Sequence, residues 1–421
     1  MSYFVVRGGK PLEGIVPIGG AKNSVLPILA ATLLTGGKSR LHRCPKLRDV
    51  TSAIAILRHL GCVVEREGDT VTVDSTNVTR CDVPMSLMRE MRSSVIFLGP
   101  IIARCGEARL SFPGGCELGP RPIDLHLSAL RKLGVQIREA GGEILCTAGE
   151  MRGRDILLAF PSVGATENIL LAATACAGRT RIVNAAREPE IDDLRRFLQA
   201  CGGCTYGGDQ SPITVEGGKP LHGTEHTILP DRIEAATYLC AGAVCGGRIT
   251  LEGVEPEHFG TVTGLLTEAG CSVSASGNRV TLESQGSGSL RSMPPVRTMP
   301  YPGFATDAQA PLMAVACLAR GTTVFLENIF ENRYRHTAEL ARMGADIRVA
   351  GRVAVVTGQR ELYGARVRST DLRGGAALVV AGLAAKGETV VEELHHIDRG
   401  YAAMEKRLQA LGADIRREKA E

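Results

Sequence analysis

The stretch Leu130-Arg131-Lys132-Leu133-Gly134-Val135-Gln136-Ile137 shows the pattern on which the chain is built. Its first half has the spacing of an amphipathic helix, Gly134 ends that helix, and Val135 and Ile137 then alternate with polar residues as in a strand. The same junction occurs six times, with 68 to 74 residues between successive glycines: Gly61, Gly134, Gly202, Gly270, Gly344 and Gly412. Such regular spacing predicts an internal repeat.

Each repeat also has an apolar helix ahead of the amphipathic one. These helices, each closed by a glycine C-cap, are predicted over residues 26–34, 95–103, 169–177, 235–245, 310–319 and 376–385. Because they are apolar nearly all round, we expect them to be buried, with the amphipathic helices at the surface. The predicted repeat is a buried helix, a strand, a half-exposed helix and a strand hairpin.

Three repeats can surround three buried helices, so six predict an α/β chain of two similar domains, each made of three βαβαββ-type units. The interval from Leu12 to Lys22 resembles that from Leu221 to Asp231, so the N-terminal strand fills the slot ahead of a buried helix. The last repeat ends without such a strand. We therefore predict one domain over residues 22–229 and a second over residues 1–21 and 230–421, with the active site in the cleft between them.

Composition narrows the class of protein. The 421 residues, 44% apolar and 22% charged, suit two or three globular domains, and a net charge of +4 without aromatic interleaving gives no indication of nucleic-acid binding. Apolar runs fall short of the roughly 18 residues of a membrane span, and the N-terminus does not resemble a signal peptide. Thirteen irregularly spaced cysteines do not form a disulfide framework. We expect a cytoplasmic protein with no membrane partner.

Several cofactor motifs fail on inspection. Residues 14–22 resemble a P-loop only loosely, since the lysine does not directly follow the glycine, and no dinucleotide fingerprint opens a helix. Cys201 and Cys204 lack a second ligand pair nearby. His395 and His396 are adjacent and do not easily face one ion on a strand. We predict no metal and no cofactor.

Polar residues stand at all six starts of the buried helices. They are Lys22-Asn23-Ser24, Arg92-Ser93-Ser94, Gly164-Ala165-Thr166, Asp231-Arg232, Thr306-Asp307 and Asp371-Leu372-Arg373. Helix N-termini bind phosphate and carboxylate groups, so two domains facing each other at these ends would form an anion site. Simple capping is an equal alternative for Asp231 and Asp371. It does not explain Lys22 or Arg92, since a cation there opposes the helix dipole unless an anion binds.

A loop of glycine and proline carries one thiol. It reads Pro113-Gly114-Gly115-Cys116-Glu117-Leu118-Gly119-Pro120-Arg121-Pro122, with a guanidinium five residues after the cysteine. Most of the cysteines are expected in the core, but loop formers surround Cys116. A neighbouring cation lowers a thiol pKa from about 8.5, so Cys116 is a candidate proton donor or nucleophile.

This loop, with Gly19-Gly20-Ala21-Lys22-Asn23, Asp371-Leu372-Arg373 and residues 396–401, resembles the UDP-N-acetylglucosamine 1-carboxyvinyltransferases of the enolpyruvyl transferase family. The resemblance runs essentially end to end, and the sister family that acts on shikimate 3-phosphate lacks the loop. It implies the inverted α/β barrel of the enolpyruvyl transferase fold. It also implies transfer of the enolpyruvyl group of phosphoenolpyruvate to the 3-hydroxyl of UDP-N-acetylglucosamine, by addition and elimination, at the first committed step of peptidoglycan synthesis.

The resemblance also implies roles for individual residues. Cys116 corresponds to the proton donor, which can also add to phosphoenolpyruvate, and Asp307 to the base that takes the sugar hydroxyl proton; Lys22 and Arg399 complete the catalytic set. Phosphoenolpyruvate would contact Lys22, Asn23, Arg121, Asp371, Arg373 and Arg399. UDP-N-acetylglucosamine would contact Asn23, Arg92, Arg121, Pro122, Ile123, Asp124, Leu125, Ser162, Val163, Gly164, Asp307 and Ile329.

Other interpretations remain open at this point. The chain could transfer to shikimate 3-phosphate, which the cysteine loop disfavours, or could be a catalytically silent UDP-sugar-binding paralogue, which would not need an acid or a base. Among single residues, Arg399 could pair with Asp398 on the surface, His126 could cap the helix that follows it, and Asp307 could be no more than a helix cap.

Overall fold

The computed structural model describes residues 2–91, 93–111, 123–208 and 211–419, and these residues form 24 strands and 13 α-helices. They divide into two compact units. The first unit contains the described residues between 20 and 229, and the second contains residues 2–19 and 230–419.

The chain opens in the second unit and then builds the first. The two opening strands are β1 (Ser2–Arg7) and β2 (Leu12–Pro17). The first unit follows with α1 (Lys22–Ala31), β3 (Lys38–His42), α2 (Arg48–His59), β4 (Val63–Glu67), β5 (Thr70–Asp74), β6 (Asp82–Val83), α3 (Met85–Glu90), α4 (Leu98–Cys105), β7 (Glu107–Ser111), α5 (Asp124–Lys132), β8 (Val135–Ala140), β9 (Glu143–Ala148), β10 (Asp155–Leu157), α6 (Val163–Ala173), β11 (Gly178–Val183), α7 (Pro189–Ala200), β12 (Cys204–Gly208), β13 (Ser211–Gly217) and β14 (Glu225–Thr227).

The remaining elements complete the second unit. They are α8 (Arg232–Cys245), β15 (Gly247–Glu252), α9 (Gly260–Glu268), β16 (Ser272–Ser276), β17 (Arg279–Ser284), β18 (Val296–Arg297), α10 (Thr306–Ala316), β19 (Thr322–Leu326), α11 (Thr337–Arg342), β20 (Asp346–Ala350), β21 (Val353–Thr357), β22 (Arg366–Arg368), α12 (Leu372–Ala384), β23 (Glu388–Glu392), α13 (Met404–Ala410) and β24 (Asp414–Lys419).

The strands of the described residues form six four-stranded sheets of one design. A short leading strand runs parallel to the strand that follows a buried helix, and two antiparallel strands continue the sheet, as in the order β10-β11-β13-β12. These two strands form a hairpin in every sheet except β22-β23-β1-β24. The first unit also has the sheets β14-β3-β5-β4 and β6-β7-β9-β8; the second has β16-β17-β15-β2, β18-β19-β21-β20 and β22-β23-β1-β24. The predicted α/β class, with three repeats in each of two similar units, is confirmed.

Six helices are buried on nearly every side, as predicted: α1, α4 and α6 in the first unit, and α8, α10 and α12 in the second. Their bounds differ from the prediction. Most begin earlier than the apolar run, for example at Arg232 and Thr306, because a polar first turn takes up the same backbone conformation. No helix of the described residues is long and apolar enough to cross a membrane.

The predicted glycine C-caps are confirmed for α4 and α8, which are capped by Gly106 and Gly246. The prediction is wrong for α1, α6, α10 and α12, whose C-caps are Thr32, Thr174, Cys317 and Ala385. Helix α6 stops at Ala173, four residues before the predicted end. The Thr174 hydroxyl donates to the carbonyl of Leu171 at 2.8 Å, so a side chain satisfies a terminal carbonyl and no glycine is required there.

A glycine follows each outer helix at the six predicted junctions, and each adopts a left-handed backbone with φ between 90° and 106°. A Cβ atom on Gly61 would lie 2.7 Å from the carbonyl oxygen of Asn77, and one on Gly134 would lie 2.6 Å from that of Glu150. Glycine is therefore favoured at all six turns for its φ, and at Gly61 and Gly134 it is also required for the close approach of the next segment.

The first strands of the chain complete sheets made mostly of its last residues. Strand β1 lies between β23 and β24, and β2 runs parallel to β15. Phe4 pairs with Val391 on one side and Arg417 on the other, and its ring is fully buried in the core of the second unit.

We expect Phe4→Ala to lower the free energy of unfolding by about 3–5 kcal/mol, because it removes a buried ring from a core that cannot collapse around the gap. The neighbouring variant Tyr3→Ala is the control, since Tyr3 is only partly buried and its hydroxyl donates to Glu418 at 2.9 Å. Urea unfolding measures both variants. Equal losses would show that β1 does not anchor the core of the second unit.

Candidate functional site

The described residues include most of the predicted site. Lys22, Asn23, Ile123, Asp124, Leu125, Ser162, Val163 and Gly164 belong to the first unit, and Asp307, Ile329, Asp371, Arg373 and Arg399 to the second. Cys116, Arg92, Arg121 and Pro122 lie outside the described residues.

Asp307, in the first turn of α10, lies between two guanidinium groups. Its Oδ1 accepts a hydrogen bond from Arg333 Nη2 at 2.9 Å, and its Oδ2 accepts from Arg373 Nε and Nη2 at 3.2 and 3.1 Å. The arginine side chains are 4% and 2% exposed, whereas that of Asp307 is 28% exposed. The carboxylate is thus held by charge-assisted hydrogen bonds and reaches the surface of its unit. Helix α10 has Ala305 at its N-cap and no side-chain cap, so the capping alternative for Asp307 is wrong.

Asp371 is the N-cap of α12. Its Oδ1 accepts hydrogen bonds from the backbone N–H groups of Arg373 and Gly374, both at 3.0 Å. Burial opposes ionisation, but the charge of Arg333 and these donors outweigh it and hold the pKa of the Asp371 carboxyl below its usual range. The capping interpretation of Asp371 is confirmed, and the cap fixes the turn that carries Arg373. Asp231 caps α8 in the same way.

The guanidinium group of Arg373 lies over an aromatic ring. Its guanidinium carbon lies 5.3 Å from the centre of the buried Tyr401 ring, and the Tyr401 hydroxyl is 2.9 Å from Thr237 Oγ1. Although burial disfavours a cation, Tyr401 and Asp307 raise the pKa of Arg373 above its usual value. Among the described residues, Arg373 Nη1 and Arg333 Nε have no hydrogen-bond acceptor. Donors therefore outnumber acceptors here, which suits an anionic ligand.

The sequence did not single out Arg333 or Glu327. The Oε1 of Glu327 accepts from the backbone N–H groups of Ile329 and Phe330 at 2.9 and 3.0 Å, and its Oε2 accepts from the Thr306 hydroxyl at 2.9 Å. Glu327 is 1% exposed. The predicted sugar contact Ile329 is therefore tied to the start of α10. The only sequence signal for Glu327 as a site residue was its position as a charged residue directly after an apolar strand.

His336 is fully buried beside this cluster, and its ring nitrogens have no hydrogen-bond partner in the described part of the chain. Its Cβ lies against Gly374, where an added Cβ would be 2.9 Å away. Burial lowers the pKa of His336 to about 4, with Arg333 acting in the same direction and Asp371 against it. The imidazole is therefore neutral at pH 7.

Arg399 ends a short 3₁₀ helix over Ile397–Arg399 and is partly buried. The alternative that it pairs with Asp398 is not favoured, because both oxygens of Asp398 accept from Arg417, at 2.6 and 2.9 Å.

In the first unit, Lys22 begins α1 and its Nζ lies 3.1 Å from Oδ2 of Asp49. Asp49 is 1% exposed and comes from the first turn of α2. The expectation that a cation at this helix start requires a bound anion is therefore corrected, since the protein provides a carboxylate. The same turn is also fixed by Ser24, whose hydroxyl donates to Asp193 at 2.5 Å.

Apart from Asn23 on α1, the described sugar contacts predicted in the first unit lie at the starts of two neighbouring helices, α5 and α6. Ser162 caps α6 by accepting from the N–H of Ala165 at 3.4 Å. Gly164 faces the ring of His126 on α5, and His126 Nδ1 accepts from Asn168 Nδ2 of α6 at 2.8 Å. His126 thus joins the two helices. It does not cap α5, whose N-cap is Ile123 with no side-chain cap.

Two other features of the second unit contain none of the predicted catalytic residues. Glu255, Glu257 and His258 are close enough to hold a metal ion, and His258 Nε2 is 3.1 Å from Glu255 Oε2. A pocket of about 200 Å³ opens nearby, lined by residues that include Arg232 and Tyr301. The absence of a metal stays a prediction.

Comparison with known proteins identifies the class. Residues 6–408 match the family described as EPSP synthase (3-phosphoshikimate 1-carboxyvinyltransferase). Over the full chain, the fold is similar to the enolpyruvyl transferase NikO from Streptomyces tendae (TM-score 0.90, 26% identity, 100% and 99% of the two chains). EPSP synthase from Acinetobacter baumannii has the same fold at a TM-score of 0.73 and 18% identity, covering 99% and 100% of the two chains. These matches define an enolpyruvyl transferase fold.

The sequence relatives are more specific. A UDP-N-acetylglucosamine 1-carboxyvinyltransferase 2 from Caldanaerobacter subterraneus subsp. tengcongensis is 50% identical over 99% of both chains. The enzyme from Nitratidesulfovibrio vulgaris with the same activity in its name is 47% identical, over 99% of this chain and 100% of its own. The chain belongs to the UDP-N-acetylglucosamine 1-carboxyvinyltransferase family.

We expect the buried His336 to make the second unit sensitive to acid. Its folded-state pKa of about 4 lies below the unfolded value of about 6.5, so unfolding takes up a proton between these values. This stability is present above pH 6.5 and is lost as the pH falls towards 4, by about 2 kcal/mol between pH 7 and pH 5.

Urea unfolding of wild type and His336→Gln at both pH values measures the effect, with the exposed His395→Gln as the control. The wild type and the control should lose stability at pH 5 by more than His336→Gln does. An equal loss in all three proteins would exclude His336 as the titrating group.

Proposed function

We propose that this protein transfers the enolpyruvyl group of phosphoenolpyruvate to the 3-hydroxyl of UDP-N-acetylglucosamine and releases phosphate. The observation that carries the proposal is the carboxylate of Asp307, held at the surface of its unit by two buried guanidinium groups. A base for a sugar hydroxyl must stay ionised and oriented, and paired arginines favour the ionised form. The names of the full-length relatives support the same reaction.

The reaction needs an acid, a base and cations. Cys116 donates a proton to the methylene carbon of phosphoenolpyruvate, and Asp307 accepts the proton of the sugar hydroxyl as the new C–O bond forms. Loss of a proton from the methyl group and of phosphate then completes the elimination. Lys22, Arg121 and Arg399 bind the phosphate, and electrostatic stabilisation of this kind is a large part of catalysis.

The remaining residues are assigned the roles that the resemblance implies. Arg373, fixed by Asp371 and Asp307, binds the carboxylate of phosphoenolpyruvate, and its Nη1 is a buried donor without an acceptor among the described residues. The UDP-sugar contacts are those predicted from the resemblance, among them Ser162, Gly164 and Ile329. Residues of both units are assigned to the same two substrates. A cytoplasmic role in peptidoglycan synthesis, and through it in cell-wall growth and division, is part of this proposal.

Mass spectrometry of the acceptor after incubation with phosphoenolpyruvate tests the function directly. UDP-N-acetylglucosamine should gain one enolpyruvyl group with equimolar phosphate release, while shikimate 3-phosphate should not react. The reverse acceptor preference would favour the sister activity, and tight binding of the UDP-sugar without transfer would indicate a silent paralogue. Cys116→Ser, which retains size but not the acidic thiol, is the matched control for catalysis and should be strongly impaired.

We expect Asp307→Asn to lower kcat by about 100-fold or more while changing the affinity for UDP-N-acetylglucosamine little, because an amide keeps the size and one acceptor but cannot take a proton. Glu234→Gln is the control, since Glu234 forms a buried pair with Arg407 in the same unit at 2.5 Å but is not a site residue. Turnover and calorimetry on the same preparations measure both effects. Near-wild-type turnover in Asp307→Asn would place the base elsewhere, with Asp371 the next candidate.

A further inference from the structure

We infer that Glu327 and Thr306 are positioning residues that set Asp307 relative to the UDP-sugar contact at Ile329, an inference that rests on the proposed function. Neither touches the reacting atoms in this scheme. They act through hydrogen bonds that connect the segment of Asp307 with the turn of Ile329.

Glu327 holds the turn that carries Ile329. Strand β19 ends at Leu326, and the Glu327 side chain folds over the following residues, where its Oε1 accepts from the N–H groups of Ile329 and Phe330. A single carboxylate oxygen with two backbone donors holds this turn in one conformation. The neighbouring residue Asn328 is fixed as well, because its N–H donates to Thr298 Oγ1 at 2.8 Å.

Hydrogen bonds link this turn to the segment that carries Asp307. The other oxygen of Glu327 accepts from the Thr306 hydroxyl at 2.9 Å, and Thr306 is the residue directly before Asp307. Arg333 closes the arrangement, since its Nη2 donates both to the Thr306 carbonyl at 3.1 Å and to Asp307 Oδ1 at 2.9 Å. The first turn of α10 is therefore fixed by hydrogen bonds with both Glu327 and Arg333.

Burying the carboxylate of Glu327 has a cost in desolvation free energy. Glu327 is 1% exposed, and a buried carboxylate is costly unless its oxygens are satisfied. Helix α10 has no side-chain cap, so Glu327, the residue directly after β19, anchors the start of the helix by accepting from the Thr306 hydroxyl. A purely stabilising contact could be replaced by apolar packing. The hydroxyl–carboxylate pair instead fixes a distance between two segments that we assign to the same substrate.

Removing only the link is the sharpest test. Thr306→Val is nearly isosteric and leaves the Ile329 turn intact, so we expect kcat to fall by about 10- to 100-fold, as for a misplaced catalytic group, with little change in the Kd of UDP-N-acetylglucosamine. Thr306→Ser restores the hydroxyl and should recover most of the turnover. Glu327→Gln weakens the turn as well, so it should both lower kcat and weaken UDP-sugar binding by about tenfold.

Thr323→Val is the matched control. Thr323 is a 1% exposed threonine of β19 whose Oγ1 accepts from the Met293 N–H at 3.1 Å, and in the described part of the chain its side chain has no hydrogen bond to a site residue. Steady-state kinetics, calorimetry and urea unfolding are measured on all variants, including the Thr306→Val/Glu327→Gln double variant. The double variant should have the kcat of Glu327→Gln alone, because both changes break the same link.

An inactive wild type would overturn the proposed function itself. An active wild type in which Thr306→Val has the turnover of Thr323→Val, or in which Thr306→Ser does not recover, would overturn only the positioning role. Additive losses in the double variant would likewise exclude action through a common link.

Discussion

Each outer helix of the described repeats ends at a glycine that an L-residue cannot replace without strain. The six φ values fall within 16° of one another, and the strand that follows each turn lies at an edge of its sheet every time. A side chain at Gly61 or Gly134 would also meet the backbone of the segment that returns past the turn. The turn therefore sets how the chain leaves each outer helix and enters the edge strand in all six copies.

The repeat explains why charge collects at the starts of buried helices. A helix surrounded by other elements has no exposed face for polar groups, so they are confined to its first turn, where N–H donors are unsatisfied. In the second unit this places Asp307 on α10 and Arg373 on α12 in direct contact. Burying such ion pairs contributes little to stability and is often less favourable than apolar packing. Their arrangement is therefore better explained by the proposed chemistry than by folding.

The sequence predicted the features that depend on local pattern. The repeat, the buried helices, the six glycine turns and the capping alternative for Asp371 all follow from residues close together in the chain. Lys22 was also recognised, but its partner Asp49 was not, because that contact joins two helices. Arg333 and Glu327 were missed for the same reason: each acts on Thr306 or Asp307 from more than twenty residues away. Side chains alone, without distances, do not distinguish an arginine that orients a base from one exposed to solvent.

The pairing of β1 and β2 has a consequence for how the protein is made. Residues leave the ribosome in order, so every strand of the first unit has its sheet partners once β14 has been synthesised. The opening strands, in contrast, must wait for β15 and then for β23 and β24, at the far end of the chain. During that interval they are edges without partners, and β1 carries the apolar run Phe4-Val5-Val6. Strands β1 and β2 are therefore exposed to chaperones and to misassembly until β15, β23 and β24 have been synthesised, whereas the strands of the first unit find their partners sooner.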